Sequence, residues 1–160
     1  MKLARLILLT AIVVISGVLP TVASAADHEK FLGIRGGYVS YNNSAYIALN
    51  FTYSFADHFR IAPEVGYAFS HNGNSAIMMS GDMEFPFRVY RGIAVYPLAG
   101  VTYNNWSREG RSRLSRIGGN VGVGTDFYMT EYLKLDLQVK YSIMKNCSGV
   151  FAGIGIGYIF

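Results

Sequence analysis

From Phe31 to the last residue, one pattern governs the chain: every second side chain is large and apolar, and those between are small or charged. Residues 133–145 show it best. There Leu133, Leu135, Leu137, Val139, Tyr141 and Ile143 alternate with Lys134, Asp136, Gln138, Lys140 and Ser142. A period of two belongs to the β-strand, whose successive side chains point to opposite faces. Seven further segments share it, at residues 31–41, 45–55, 59–70, 76–89, 93–105, 117–127 and 150–160. Each has roughly the 9–11 residues that a tilted strand needs to cross a bilayer, or slightly more.

The two faces decide which kind of β-protein this is. A soluble barrel turns its apolar face inward and a polar face to water. Here the smaller face is rich in glycine, at Gly33, Gly37, Gly122, Gly124, Gly153, Gly155 and Gly157, and would make a poor soluble surface. The same glycines suit the narrow interior of eight strands, where they leave room for Arg and Tyr. The pattern therefore predicts an all-β fold, an eight-stranded antiparallel up-and-down transmembrane β-barrel with its apolar side chains facing lipid. Composition agrees: the chain is 51% hydrophobic with 12 Tyr, 10 Phe and 18 Gly, and only 15% charged, which favours closely packed strands over helices.

The first 25 residues break the pattern. Lys2 and Arg5 give a basic start, residues 6–19 an apolar run, and Pro20 precedes Ala23, Ser24 and Ala25. This is the layout of a cleaved signal peptide, and the apolar run is shorter than the ~20 residues of a membrane-spanning helix. Two regions result: a signal segment at 1–25 and one barrel domain at 26–160. Without Lys2 and Arg5 the chain keeps 12 basic and 10 acidic side chains, a net +2 that carries no nucleic-acid signature. Cys147 is the only cysteine, so no internal disulfide is expected.

Turn signals fit the same count. Residues 56–58, 90–92 and 129–131 read as three short hairpin loops at one end, the second with Gly92 in a left-handed position. Connections near 42–44, 71–75, 106–116 and 146–149 fall at the other end, and only the third is long. Tyr103 and Trp106 are expected in the aromatic belt near that end. Pro63, Pro86 and Pro97 fall inside strands, where proline removes a ladder hydrogen bond, so β-bulges are expected near the rim with the short hairpins.

The last strand carries a resemblance. Gly155 is followed at three and five residues by Tyr158 and the terminal Phe160, which resembles the C-terminal signature of bacterial outer-membrane barrels. Over its mature length the chain resembles the small OmpX and OmpA-type eight-stranded barrels. The resemblance implies a Gram-negative outer membrane with both termini periplasmic. Gly155, Tyr158 and Phe160 would then be an assembly signal for the barrel insertion machinery. Outer-membrane lipids and lipopolysaccharide would be the surroundings, and the barrel would be a monomer.

Chemistry has two candidate seats. The inward face holds Arg35, Arg60, Arg88, Lys134 and Lys140 with Glu64, Asp82, Glu84, Asp126 and Asp136. Buried charges need partners, so these ten are expected to form a lumen charge network that plugs the barrel. The alternative is a narrow, low-conductance pore; a wide channel needs about 16 strands. The second seat is a candidate anion-binding loop of Arg108, Arg111, Arg113 and Arg116, opposed only by Glu109. Guanidinium forks match phosphate and sulfate, so an anionic surface ligand or adhesion target is one reading there; the other is a solvated loop whose arginines face lipopolysaccharide without a specific partner. Catalysis finds little support. His28, His58 and His71 are scattered, and none faces lipid in a strand next to Ser and an acid, as a lipid-modifying hydrolase would require. No metal-ligand spacing and no phosphate-binding glycine motif occurs, so neither metal nor cofactor is expected. The reading is a non-enzymatic barrel serving envelope integrity or surface interaction.

Overall fold

The computed structural model describes residues 29–71, 73–108, 110 and 112–160, with the side chains of His71 and Arg108 left out. The expected signal segment, residues 1–25, lies outside the described residues. Nine strands follow in order: β1 (Lys30–Val39), β2 (Ser44–Ala56), β3 (Phe59–His71), β4 (Asn74–Glu84), β5 (Phe87–Tyr90), β6 (Ile93–Arg108), β7 (Leu114–Tyr128), β8 (Leu133–Ile143) and β9 (Gly149–Ile159). Each pairs antiparallel with its neighbour in sequence, except that both β4 and β5 lie against β6. The pairs Glu84↔Leu98 and Phe87↔Val95 are in one register, so β4 and β5 form a single wall strand interrupted at Phe85 and Pro86. The first strand pairs with the last, through Phe31↔Ile159 to Val39↔Phe151. The eight walls close into a barrel with no free sheet edge, and they are the eight segments that the alternation marks.

Alternation places the faces as expected. Leu49, Val101 and Val121 are 60%, 64% and 48% exposed on the outside, whereas their neighbours Asn50, Thr102 and Asn120 are buried within. An exterior this apolar is costly in water and suited to hydrocarbon. The inner wall is polar through most of its length. Near the rim opposite the termini it turns apolar, where Val39, Tyr46, Ala48, Ala68, Ala76, Met78, Trp106 and Phe151 pack together.

The prolines act differently from the expectation. Pro63 pairs with Gly81, and Pro97 with Val123, without any local change of register. Pro86 stands opposite Tyr96 across the seam between β4/β5 and β6, one step from Pro97 opposite Phe85, so two prolines meet in this stretch. Neither can donate to the ladder, and the break between β4 and β5 results; one bond remains there, from the Phe85 N–H to the Pro97 carbonyl at 3.0 Å. Register shifts occur instead at Ser54/Ala56 and Arg88/Tyr90, beside the short hairpins of the terminal rim. Gly92 turns the second of those hairpins with φ +76°, a value a side chain makes costly.

The opposite rim is trimmer than its sequence implies. β6 runs to Arg108 and β7 starts at Leu114, so the third connection covers only 109–113. Trp106 consequently stands at an inward position within β6, buried beneath the rim and edge-on to Tyr41 at 5.0 Å. This corrects its expected place in the lipid-facing belt.

Candidate functional site

Inward positions from six wall strands meet in the lumen. Nearest the termini, Lys134 Nζ lies 4.2 Å over the Phe31 ring, 3.4 Å from Glu29 Oε1 and 3.7 Å from Asp126 Oδ2. Arg60 comes next. Its Nε donates to Glu84 Oε2 and one terminal NH to Asp126 Oδ2, each at 2.5 Å, and its guanidinium covers the Tyr96 ring at 4.5 Å.

At mid-barrel Arg35 pairs with Glu64 and with Asp136, the latter by two bonds of 2.6 and 3.3 Å, and donates to Gln138 Oε1 at 3.0 Å. The Tyr96 hydroxyl donates to Asp136 Oδ2 at 2.9 Å. Gln138 Nε2 reaches Glu84 Oε1 at 3.3 Å and so joins this layer to the one below. Further out, Lys140 donates to Glu64 at 3.0 Å, Asp82 at 2.9 Å and Ser80 at 3.0 Å. Asn120 donates to Asp82 at 2.8 Å and accepts from Ser142 at 2.6 Å.

Glycines make these contacts fit. A Cβ on Gly124 would collide with the Tyr96 ring, and one on Gly155 with the Asp136 carboxylate. Around Arg60, Glu84 and Asp136 no volume remains for a water molecule. Between Lys140, Thr102 and Asn104 a space of about 10 Å³ remains, close to the minimum for one water. The apolar layer with Trp106 lies beyond.

Nine of the ten expected lumen charges are therefore buried and paired. Arg88 differs: it is exposed at the terminal rim, where with Asp57, His58, Pro86, Phe87, Ala94 and Tyr128 it lines a cavity of about 360 Å³. Glu29 is the member the sequence reading overlooks. It shares the inward parity of Phe31 and Arg35, one step before the pattern was taken to begin, and its carboxylate also accepts from the Tyr128 hydroxyl at 3.5 Å.

The candidate anion-binding arginines are spread out. Arg108 ends β6 opposite Asn74, Arg113 is exposed in the connection, and Arg116 lies on β7 opposite Asn104, its guanidinium donating to the Ser115 carbonyl at 2.9 Å. Arg111 is outside the described residues. Of the residues expected to form an assembly signal, Gly155 faces Asp136, Tyr158 stacks on Tyr132 at 5.8 Å, and the Phe160 N–H donates to the Lys30 carbonyl at 2.9 Å. Among the described residues no three His, Cys, Asp or Glu side chains gather as metal ligands.

A closed antiparallel barrel with an apolar exterior and a charged, packed interior defines an integral membrane β-barrel of the outer-membrane type. Neither a family model nor a curated protein matches the sequence. Solved structures of the same fold do. The chain is similar to the N-terminal β-barrel domain of Pseudomonas aeruginosa OprF, at 18% identity and a TM-score of 0.73, over 84% of this chain and 98% of that one. It is also similar to Neisserial surface protein A, at 15% identity and 0.68, over 86% and 100%. Ail, the attachment invasion locus protein of Yersinia pestis, follows at 18% and 0.63, over 84% and 100%. Ail has also been solved in complex with the heparin analogue sucrose octasulfate.

Proposed function

We propose that this protein is a sealed, non-enzymatic outer-membrane barrel that supports the envelope and meets other molecules through its outer rim. In this reading a signal peptide at 1–25 is removed, residues 26–160 insert as a monomer, and the termini face the periplasm. One observation carries it: cross-lumen bonds run without a gap from Glu29 to Ser142, with no volume for water at the Arg60 layer. An ion crossing there must either break buried ion pairs or shed its hydration, and breaking one buried pair costs about 3–5 kcal/mol.

Planar-bilayer conductance of the refolded mature barrel tests this, with wild type beside Glu84→Ala and Arg88→Ala. Silence in wild type is expected. A steady conductance that either substitution alters would make the lumen a narrow pore and overturn the sealed reading.

A second reading concerns the outer rim. Arg108, Arg113 and Arg116 lie in or beside the β6–β7 connection, and Ail, of the same fold, has been solved with a heparin analogue. Lipopolysaccharide phosphates or sulfated glycans are then the anionic class to test. Binding to immobilised heparin that survives an Arg113→Ala/Arg116→Ala double substitution would count against this rim as the anion site.

A further inference from the structure

The cavity at the terminal rim borders the lumen network at Tyr128, and its lining is mixed in chemistry. Arg88 of β5 supplies a guanidinium to its lining. Asp57 and His58 come to the same lining from the β2–β3 turn. His58 is held in place: its Nδ1–H donates to the Pro86 carbonyl at 3.1 Å, and its ring stacks on Phe87 at 5.8 Å with 21° between planes. With Nδ1 protonated, Nε2 of the neutral ring is an acceptor. The cavity therefore offers donors for an anion and, beside them, acceptors for a cation. Its size, about 360 Å³, falls near the small end of small-molecule sites, roughly 300–1,000 Å³.

Its position narrows the ligand further. Phe87 and Val89, 52% and 61% exposed, point outward from the same strand into lipid. Next to them is the proline break, where the wall lacks ladder pairs between Glu84↔Leu98 and Phe87↔Val95. One lip of the cavity is thus continuous with the lipid-facing surface at the depth of the headgroups.

We propose that this cavity is a headgroup site for a phospholipid of the adjoining leaflet, one whose headgroup carries both a phosphodiester and a primary ammonium. Arg88 takes the phosphodiester, as a guanidinium fork does. Asp57 and His58 Nε2 take the ammonium, and the acyl chains run over Phe87 and Val89. The site rests on the membrane placement proposed above but not on the sealed lumen, so a conducting barrel leaves it standing.

The test is native mass spectrometry of the full mature barrel released from nanodiscs of equal parts phosphatidylethanolamine, phosphatidylglycerol and phosphatidylcholine. Retention of one phosphatidylethanolamine per barrel is expected, at least threefold over either other lipid. Arg88→Gln should abolish retention of all three. Asp57→Asn should keep a bound lipid but erase the preference for the ammonium headgroup. Both positions are exposed, and an unchanged heat-modified gel shift confirms folding in each variant. Equal retention of the three lipids by wild type, or full retention by Arg88→Gln, overturns the site. Free phosphoethanolamine that displaces the lipid at millimolar concentration would assign recognition to the headgroup alone; failure to displace it, with selectivity intact, would add the acyl chains over Phe87.

Discussion

The guanidinium of Arg60 is sandwiched by three side chains from three other strands: Tyr96 beneath its plane, and Glu84 and Asp126 on its edge. Replacing it with Met should leave Glu84 buried without its ion-pair partner and Asp126 with Lys134 alone at 3.7 Å, and lower stability by about 3–5 kcal/mol. The triple variant Arg60→Met/Glu84→Gln/Asp126→Asn should recover most of that loss, because the uncompensated charges go with it. Urea midpoints of folding in micelles measure both; a triple variant no better than the single would show that the pairing is not what matters.

Gly124 leaves its Cβ space to the Tyr96 ring, whereas a Cβ at Gly119, on the outer face, would meet only the Gly100 carbonyl at 3.7 Å. Gly124→Val should therefore cost about 1–3 kcal/mol by overpacking. Gly119→Ala should leave the folding midpoint close to wild type. Equal effects would mean that Tyr96 moves aside freely.

Leu137 faces lipid in the middle of β8, between Thr125 and Ile154 of the neighbouring walls. An arginine there should destabilise the barrel by about 2–4 kcal/mol. An unaltered midpoint for Leu137→Arg would contradict the assigned exterior.

Trp106 is the only tryptophan and is 1% exposed among inward apolar groups. The folded barrel should emit at short wavelength and resist quenching by lipids brominated on their acyl chains. A Trp106→Phe/Val101→Trp variant, with the indole outside, should be quenched strongly. Strong quenching of wild type would return Trp106 to the lipid belt.

Deleting Phe160 should reduce the amount of assembled barrel in cells, because the residue both ends the assembly pattern and bonds back to Lys30. Heat-modified gel mobility of membrane fractions measures it; wild-type levels would remove the terminal pattern as an assembly signal.

Strands and faces were legible because a period of two survives in any barrel register, and residues 133–143 could be read from their own side chains. Partners were not. Arg35 and Asp136 are 101 residues apart, and which carboxylate meets which cation depends on how strands are staggered around the wall. Glu29 escapes the pattern because it stands one inward step before Phe31, where the alternation begins. Trp106 was misplaced because ending β6 at Asn105 took away the one further step that turns it inward. Arg108 and Arg116 read as loop residues for the same reason: strand pairing continues past the point where their polarity suggests a connection.

The reach of Arg35 has a consequence for how the barrel settles on one arrangement. From β1 it ties to Glu64 on β3 and Asp136 on β8, two strands away in each direction. A one-residue slip between walls would turn charges toward lipid and is excluded by the apolar exterior. A two-residue slip keeps every face correct and displaces partners by about 7 Å. Alternation tolerates that slip; the paired interior does not. The lumen charges thus select a single shear among several that the outer surface alone would permit, and a barrel with a neutral interior should hold together while losing its unique stagger.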